Sequence, residues 1–185
     1  MKQYLANSGY EVDVYSGANV TIDLMKSIGG YKILILRLHS SITKDGLLYL
    51  FSGEQYTESK YLDDQLAGIV RKAGTFDRNE SKYFALGGVF FGRSASNNLK
   101  DTTLITMGCN GSGTPYDIQD FFQRGVKDYI SWDGFVDLPH SDEATLRLIK
   151  AMCVEGLNAT AAVEEVNREV GPDPFYKSKL IYMSP

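Results

Sequence analysis

Two short apolar runs do most to limit what this chain can fold into. Leu104–Met107, inside DTTLITMGCNGSG (Asp101–Gly113), reads as a strand buried on both faces, and Tyr31–Leu38 (YKILILRL) is the strongest strand signal in the sequence. Strands of that kind belong to parallel sheets with helices on both sides, because a sheet with one wet face shows strict alternation instead. The remaining segments supply the partners. Helical patterns cover Thr21–Ile28, closed by Gly29-Gly30, then Tyr61–Lys72 with Leu62, Leu66, Ile69 and Val70 on one side, Tyr116–Arg124, Asp142–Val154 and Thr160–Val170. Further strands are expected at Tyr10–Tyr15 (YEVDVY), Leu47–Phe51, Lys82–Leu86, Val126–Trp132 and Lys179–Met183, the last after the turn Gly171-Pro172-Asp173-Pro174. Lys2–Asn7 reads as the tail of a helix ended by Gly9, and the rest of Gly74–Lys100 as a long loop. This alternation predicts one α/β domain over residues 1–185, with a mostly parallel sheet covered by helices on both faces.

Both strong runs end in a residue able to do chemistry. YKILILRL is followed by His39, Ser40 and Ser41, and TTLITMG by Cys109 and the small residues of Asn110–Gly113. A helix start follows the second run, with Thr114 as N-cap and Pro115 in the first turn. In a parallel sheet the carboxyl ends of the strands share one edge, where open α/β sheets place their ligands. If the two strands are neighbours, His39 is within reach of Cys109 as a base, and the thiol becomes a nucleophile. Backbone N–H groups around Ser40 and Cys109 then suit a developing oxyanion, and Gly108 lets the backbone approach closely. Each residue also has a plainer reading: Cys109 as a small buried hydrophobe and His39 as a polar strand boundary. Cys153, within AMCVEG, reads as core, and His140 as part of a helix entry.

Several functions are excluded or disfavoured by composition. A net charge of −4 without a basic cluster speaks against nucleic acid as ligand. Two cysteines are too few for a disulfide framework and fit a reducing compartment. Neither a secretory leader nor a run long enough to span a bilayer is found, so the expected location is the cytoplasm, away from membranes.

YKILILRLHS, TTLITMGCNG, RGVKDYISWDGFV and SDEATLRLIKAMCVEG together resemble the caspase-like cysteine peptidases, the group of caspases, gingipains, clostripain, separase and CHAT domains. In that group one apolar strand ends in the catalytic His and a second in the catalytic Cys. The later block, a strand reaching Ser-Trp and then an Asp-Glu-Ala-Thr helix, is most similar to the CHAT and gingipain branches. The likeness covers about residues 31–167, weakly through 74–100. It implies a three-layer α/β sandwich and peptide-bond hydrolysis of a polypeptide substrate by a Cys109–His39 dyad through a thioester, with neither metal nor organic cofactor. The sequence departs from the family pattern at Ser40, where Gly is usual, and in the family's first strand, which is missing here and leaves YEVDVY without its expected neighbour.

By the same resemblance Ser131 and Trp132 line the pocket for the residue before the scissile bond. Asp133 in that pocket would favour Arg or Lys there; alternatively it only begins a turn before Gly134. Arg71, Lys72, Arg78 and Arg93 are candidate self-cleavage positions or simply solvated charges. With no second domain in view, a peptidase of this size would be regulated by its own loops or by a protein partner. Two other functions remain open: a catalytically inactive caspase-like domain acting as a binding or scaffold module, and a phosphate-cradling loop at Gly108–Gly113, which lacks the Lys of a P-loop.

Overall fold

A computed structural model describes residues 1–74, 81–94, 99–113 and 115–185; Arg78 and the Thr114 cap lie outside them. In chain order the strands are β1 (Ile33–Leu36), β2 (Ser40–Ile42), β3 (Leu48–Gln55), β4 (Val70–Ala73), β5 (Tyr83–Gly87), β6 (Thr102–Thr106), β7 (Val126–Trp132) and β8 (Leu180–Met183). The helices are α1 (Lys2–Asn7), α2 (Ile22–Ser27), α3 (Leu62–Leu66), α4 (Pro115–Gln123), α5 (Leu138–Cys153) and α6 (Ala159–Glu169).

The protein is α/β, built on a mostly parallel mixed sheet ordered β1-β6-β7-β8, in which only the β7–β8 junction is antiparallel. Its two faces are buried against different layers. On one, Ile105, Ile130 and Trp132 meet Leu5 of α1, Leu148 and Ile149 of α5 and Val163 and Val166 of α6. On the other, Leu34, Leu36, Leu104 and Tyr129 meet Ile22 and Met25 of α2, Ile118 and Phe121 of α4, and the inner face of a second sheet. That second sheet, ordered β2-β3-β5-β4, is antiparallel throughout. Burial on both sides is why β6 carries no wet face: all five of its residues are buried. Among the described residues no helix is long and apolar enough to cross a membrane.

Three expectations are corrected, and one strand is added. Tyr10–Tyr15 is not a strand, because β1 is the sheet edge and forms no ladder with it; the segment is held instead by Val12 against the core and by the Tyr31 hydroxyl, which donates to Asp13 at 2.7 Å. The helix expected over Tyr61–Lys72 stops at Leu66, since Gly68 at φ 71° turns the chain and Val70–Ala73 pairs with β5. A strand not expected from the sequence, β2 at Ser40–Ile42, folds onto β3 through a turn with Gly46 at φ 80°. Finally, α5 begins at Leu138 instead of Asp142, with Pro139 in its first turn, which places His140 in the helix entry expected of it.

Candidate functional site

β1 and β6 are adjacent and parallel, with Leu36 in register with Thr106 and the Met107 N–H donating to the Leu36 carbonyl at 2.9 Å. His39 and Cys109 each follow three residues after that register pair. They line one cleft of about 200 Å³, with Arg37, Leu38, Met107, Gly108, Val136 and Leu138 as the rest of its wall. His39 is exposed and Cys109 half-buried.

Backbone contacts bring these strand ends together. A Cβ on Gly108 would overlap the Leu38 carbonyl oxygen and the Ser40 hydroxyl, so only glycine permits the approach. The Ser40 hydroxyl donates to the Cys109 carbonyl at 2.6 Å, tying the start of β2 to the cysteine. The His39 carbonyl accepts from Phe51 of β3 at 2.8 Å, and its ring leans on the Phe51 ring at 6.1 Å. Ladder alternation in β2–β3 leaves the Ser40 N–H off the edge of the second sheet, clear of β3.

The Cys109 loop is held from the other side by the continuation of β7. Ser112 N–H donates to the Trp132 carbonyl at 3.2 Å, Asn110 N–H to the Gly134 carbonyl at 2.7 Å, and the Cys109 thiol to the Val136 carbonyl at 3.7 Å. Asn110 takes φ 52°, a left-handed turn that an Asn tolerates well. Below the loop, Trp132 Nε1 donates to Ser141 Oγ at 3.0 Å and Ser141 Oγ donates to the Met107 carbonyl at 2.9 Å, a buried relay joining β7, α5 and β6. Arg37 leaves the cleft mouth in a two-pronged pair with Asp142 of α5, at 2.7 and 2.8 Å. That guanidinium holds the Asp142 carboxyl below its ordinary range.

The proposed pocket residues are placed differently. Ser131 and Trp132 are fully buried and do not line the cleft; Ser131 Oγ has no hydrogen-bond partner among the described residues. Asp133 is exposed, and its carboxylate accepts the Lys179 N–H at 2.7 Å while its own N–H donates to the Lys179 carbonyl at 3.1 Å. The structure therefore sets His39, Gly108 and Cys109 on the wall of one cleft, with Ser40 bonded to the Cys109 carbonyl, while Ser131–Asp133 lie outside that wall. Val136, Leu138 and Arg37 complete the wall without having been singled out in the sequence; Val136 in SWDGFV carries no local mark of its role. Among the described residues no group of three or more His, Cys, Asp or Glu is placed to hold a metal ion. Comparison with protein-family models, with curated proteins and with solved structures found no match for this chain.

Proposed function

We propose that the protein is a caspase-like cysteine peptidase, with Cys109 as nucleophile and His39 as general base, acting on a polypeptide substrate. One observation carries this reading: two independent strands, adjacent and parallel, deliver a His and a Cys at the same offset into one cleft. His39 takes the thiol proton, Sγ attacks the carbonyl carbon, and the backbone N–H groups of Ser40 and Cys109 receive the developing oxyanion. Collapse expels the amine, which takes the proton from His39, and water then hydrolyses the thioester. The wall beside the thiol is Leu38, Met107, Val136 and Leu138, so an aliphatic side chain gains most there. A basic side chain would need a carboxylate, and Asp133 stands outside that wall.

A second reading, the inactive binding or scaffold domain, is favoured by one contact: the thiol proton is directed at the Val136 carbonyl. The two readings separate in a hydrolysis assay with peptides bearing Leu, Arg, Lys or Asp before the cleaved bond. The peptidase reading expects turnover fastest with Leu, abolished by Cys109→Ala and lowered about 10²- to 10⁴-fold by His39→Ala, the usual share of a general base. No turnover of any peptide, with Cys109 alkylating like an ordinary free thiol, would favour the scaffold.

A further inference from the structure

The segment Asp133–Asp137 is a strap with two edges. Its even-numbered carbonyls, with that of Trp132, face the Cys109 loop as described above. Its odd-numbered residues are clamped to residues 173–179 at three points: Asp133 to Lys179 through paired bonds of 2.7 and 3.1 Å, the Phe135 carbonyl to Ser178 Oγ at 2.6 Å, and the Asp137 N–H to Asp173 at 2.7 Å. Asp173 is fully buried and does more than hold the strap. Its Oδ1 accepts the N–H groups of Phe175 and Tyr176 at 2.8 and 2.7 Å, fixing its own turn, while Oδ2 accepts Asp137. One carboxylate thus satisfies three backbone donors on two segments.

We propose that Asp173 is a positioning residue for the Cys109 thiol, acting through the strap. Removing its carboxylate releases the Asp137 N–H, lets the Val136 carbonyl move, and so loosens the acceptor to which the Cys109 thiol donates. The clasp is therefore a restraint, and its release makes Cys109 more reactive. This rests on reading Cys109 as the reactive group, but its test needs no peptide hydrolysis. The charged groups around the clasp are His140 on α5, Asp133 and Asp137 in the strap, and Lys177 in the Asp173 turn, whose Nζ donates to the Pro174 carbonyl at 2.8 Å.

The experiment follows iodoacetamide alkylation of the full chain across pH, with Cys109 and Cys153 read separately by peptide mass spectrometry. Asp173→Ala is expected to speed Cys109 alkylation at neutral pH about three- to tenfold, the scale of one or two lost hydrogen bonds. The midpoint of its pH profile moves down and Cys153 keeps its wild-type rate. Asp173→Asn, whose single acceptor oxygen serves one segment but not both, falls between the two. A Cys109 profile superimposable on wild type in Asp173→Ala overturns the proposal. If both cysteines of Asp173→Ala react like unfolded thiols, Ser178→Ala, which cuts only the Phe135 clamp, decides: faster Cys109 alone supports the strap, and no change overturns it. A protein inert to every peptide but with clasp-dependent Cys109 reactivity would retain the clasp and lose the peptidase.

Discussion

At the scale of single residues, Gly108 and Ser40 decide how closely the two strand ends meet. Gly108 lies against the Leu38 carbonyl and the Ser40 hydroxyl with no room for a methyl group, and neither neighbour is the far end of a flexible chain. Gly108→Ala is therefore expected to destabilise the fold by about 2 kcal/mol, as overpacking in a closed site does. Urea unfolding measures it; an unchanged midpoint would show that the strand ends have slack. Ser40 offers a milder test. Its hydroxyl is bonded to the Cys109 carbonyl, so Ser40→Ala leaves that carbonyl short of a donor and costs about 1 kcal/mol. Ser40→Gly, which installs the residue usual in the resembled family, costs more through its freer unfolded chain. Equal stability of all three proteins would mean that the bond contributes nothing.

Among the elements, β1 shows both the reach and the limit of reading a sequence. The carbonyls of Lys32 and Leu36 accept from Thr103 and Met107, so every second residue of β1 faces β6 and Ile33 and Ile35 turn their N–H and C=O groups to the open edge. Hydrogen exchange should find the Leu34 and Leu36 amides protected and those of Ile33 and Ile35 markedly faster; four equally slow amides would mean that a further strand covers this edge. The apolar run itself was legible because it is buried on two faces, and so was the placing of His39 and Cys109 at the ends of two such runs, which the structure sets on one cleft wall. What escaped is what depends on partners. YEVDVY alternates as a strand should, yet alternation cannot supply a ladder. LDDQLAGIVRK has helical spacing, yet Gly68 breaks it and β5 claims its second half. SSI is too short and polar to announce β2, which β3 creates by pairing. Asp173 sat in a visible Gly-Pro-Asp-Pro turn, but its bond to Asp137, 36 positions earlier, has no local signal.

For the molecule as a whole, the titrating groups with shifted behaviour are unevenly placed, and stability should follow pH accordingly. Burial works against the charged form of Asp173, but the N–H groups of Tyr176, Asp137 and Phe175, with His140 nearby, outweigh it and hold the carboxyl below its ordinary 3.8. Asp142 is held low by Arg37. A carboxyl lowered in the folded state binds its proton more readily when unfolded, so its contribution is present above the ordinary value and lost as pH falls through the folded one. Tyr129 has the opposite sense. Burial, above all, pushes its phenol upwards from 10.0, so its contribution is present below that pH and lost as pH climbs beyond it. The urea midpoint should therefore be flat from about pH 5 to 9 and fall on both sides. The acid limb is shared: Glu54, bonded to the start of α2 and to Lys60, and Glu169, paired with Arg147, are also held low. Asp142 and Asp173 both act at the start of α5, through Arg37 and Asp137, beside the cleft. Tyr129 is fully buried in the core, where its hydroxyl donates to the Gly111 carbonyl at 2.5 Å. Acid should accordingly loosen residues 133–142 and the Glu54 contacts to α2 before the sheet gives way, with amide protection lost there first, whereas alkali should act through buried Tyr129 and the Gly111 carbonyl that it holds. Acid-induced loss of protection that is uniform along the chain would show that these carboxylates are coupled to the whole core and not to their own contacts alone.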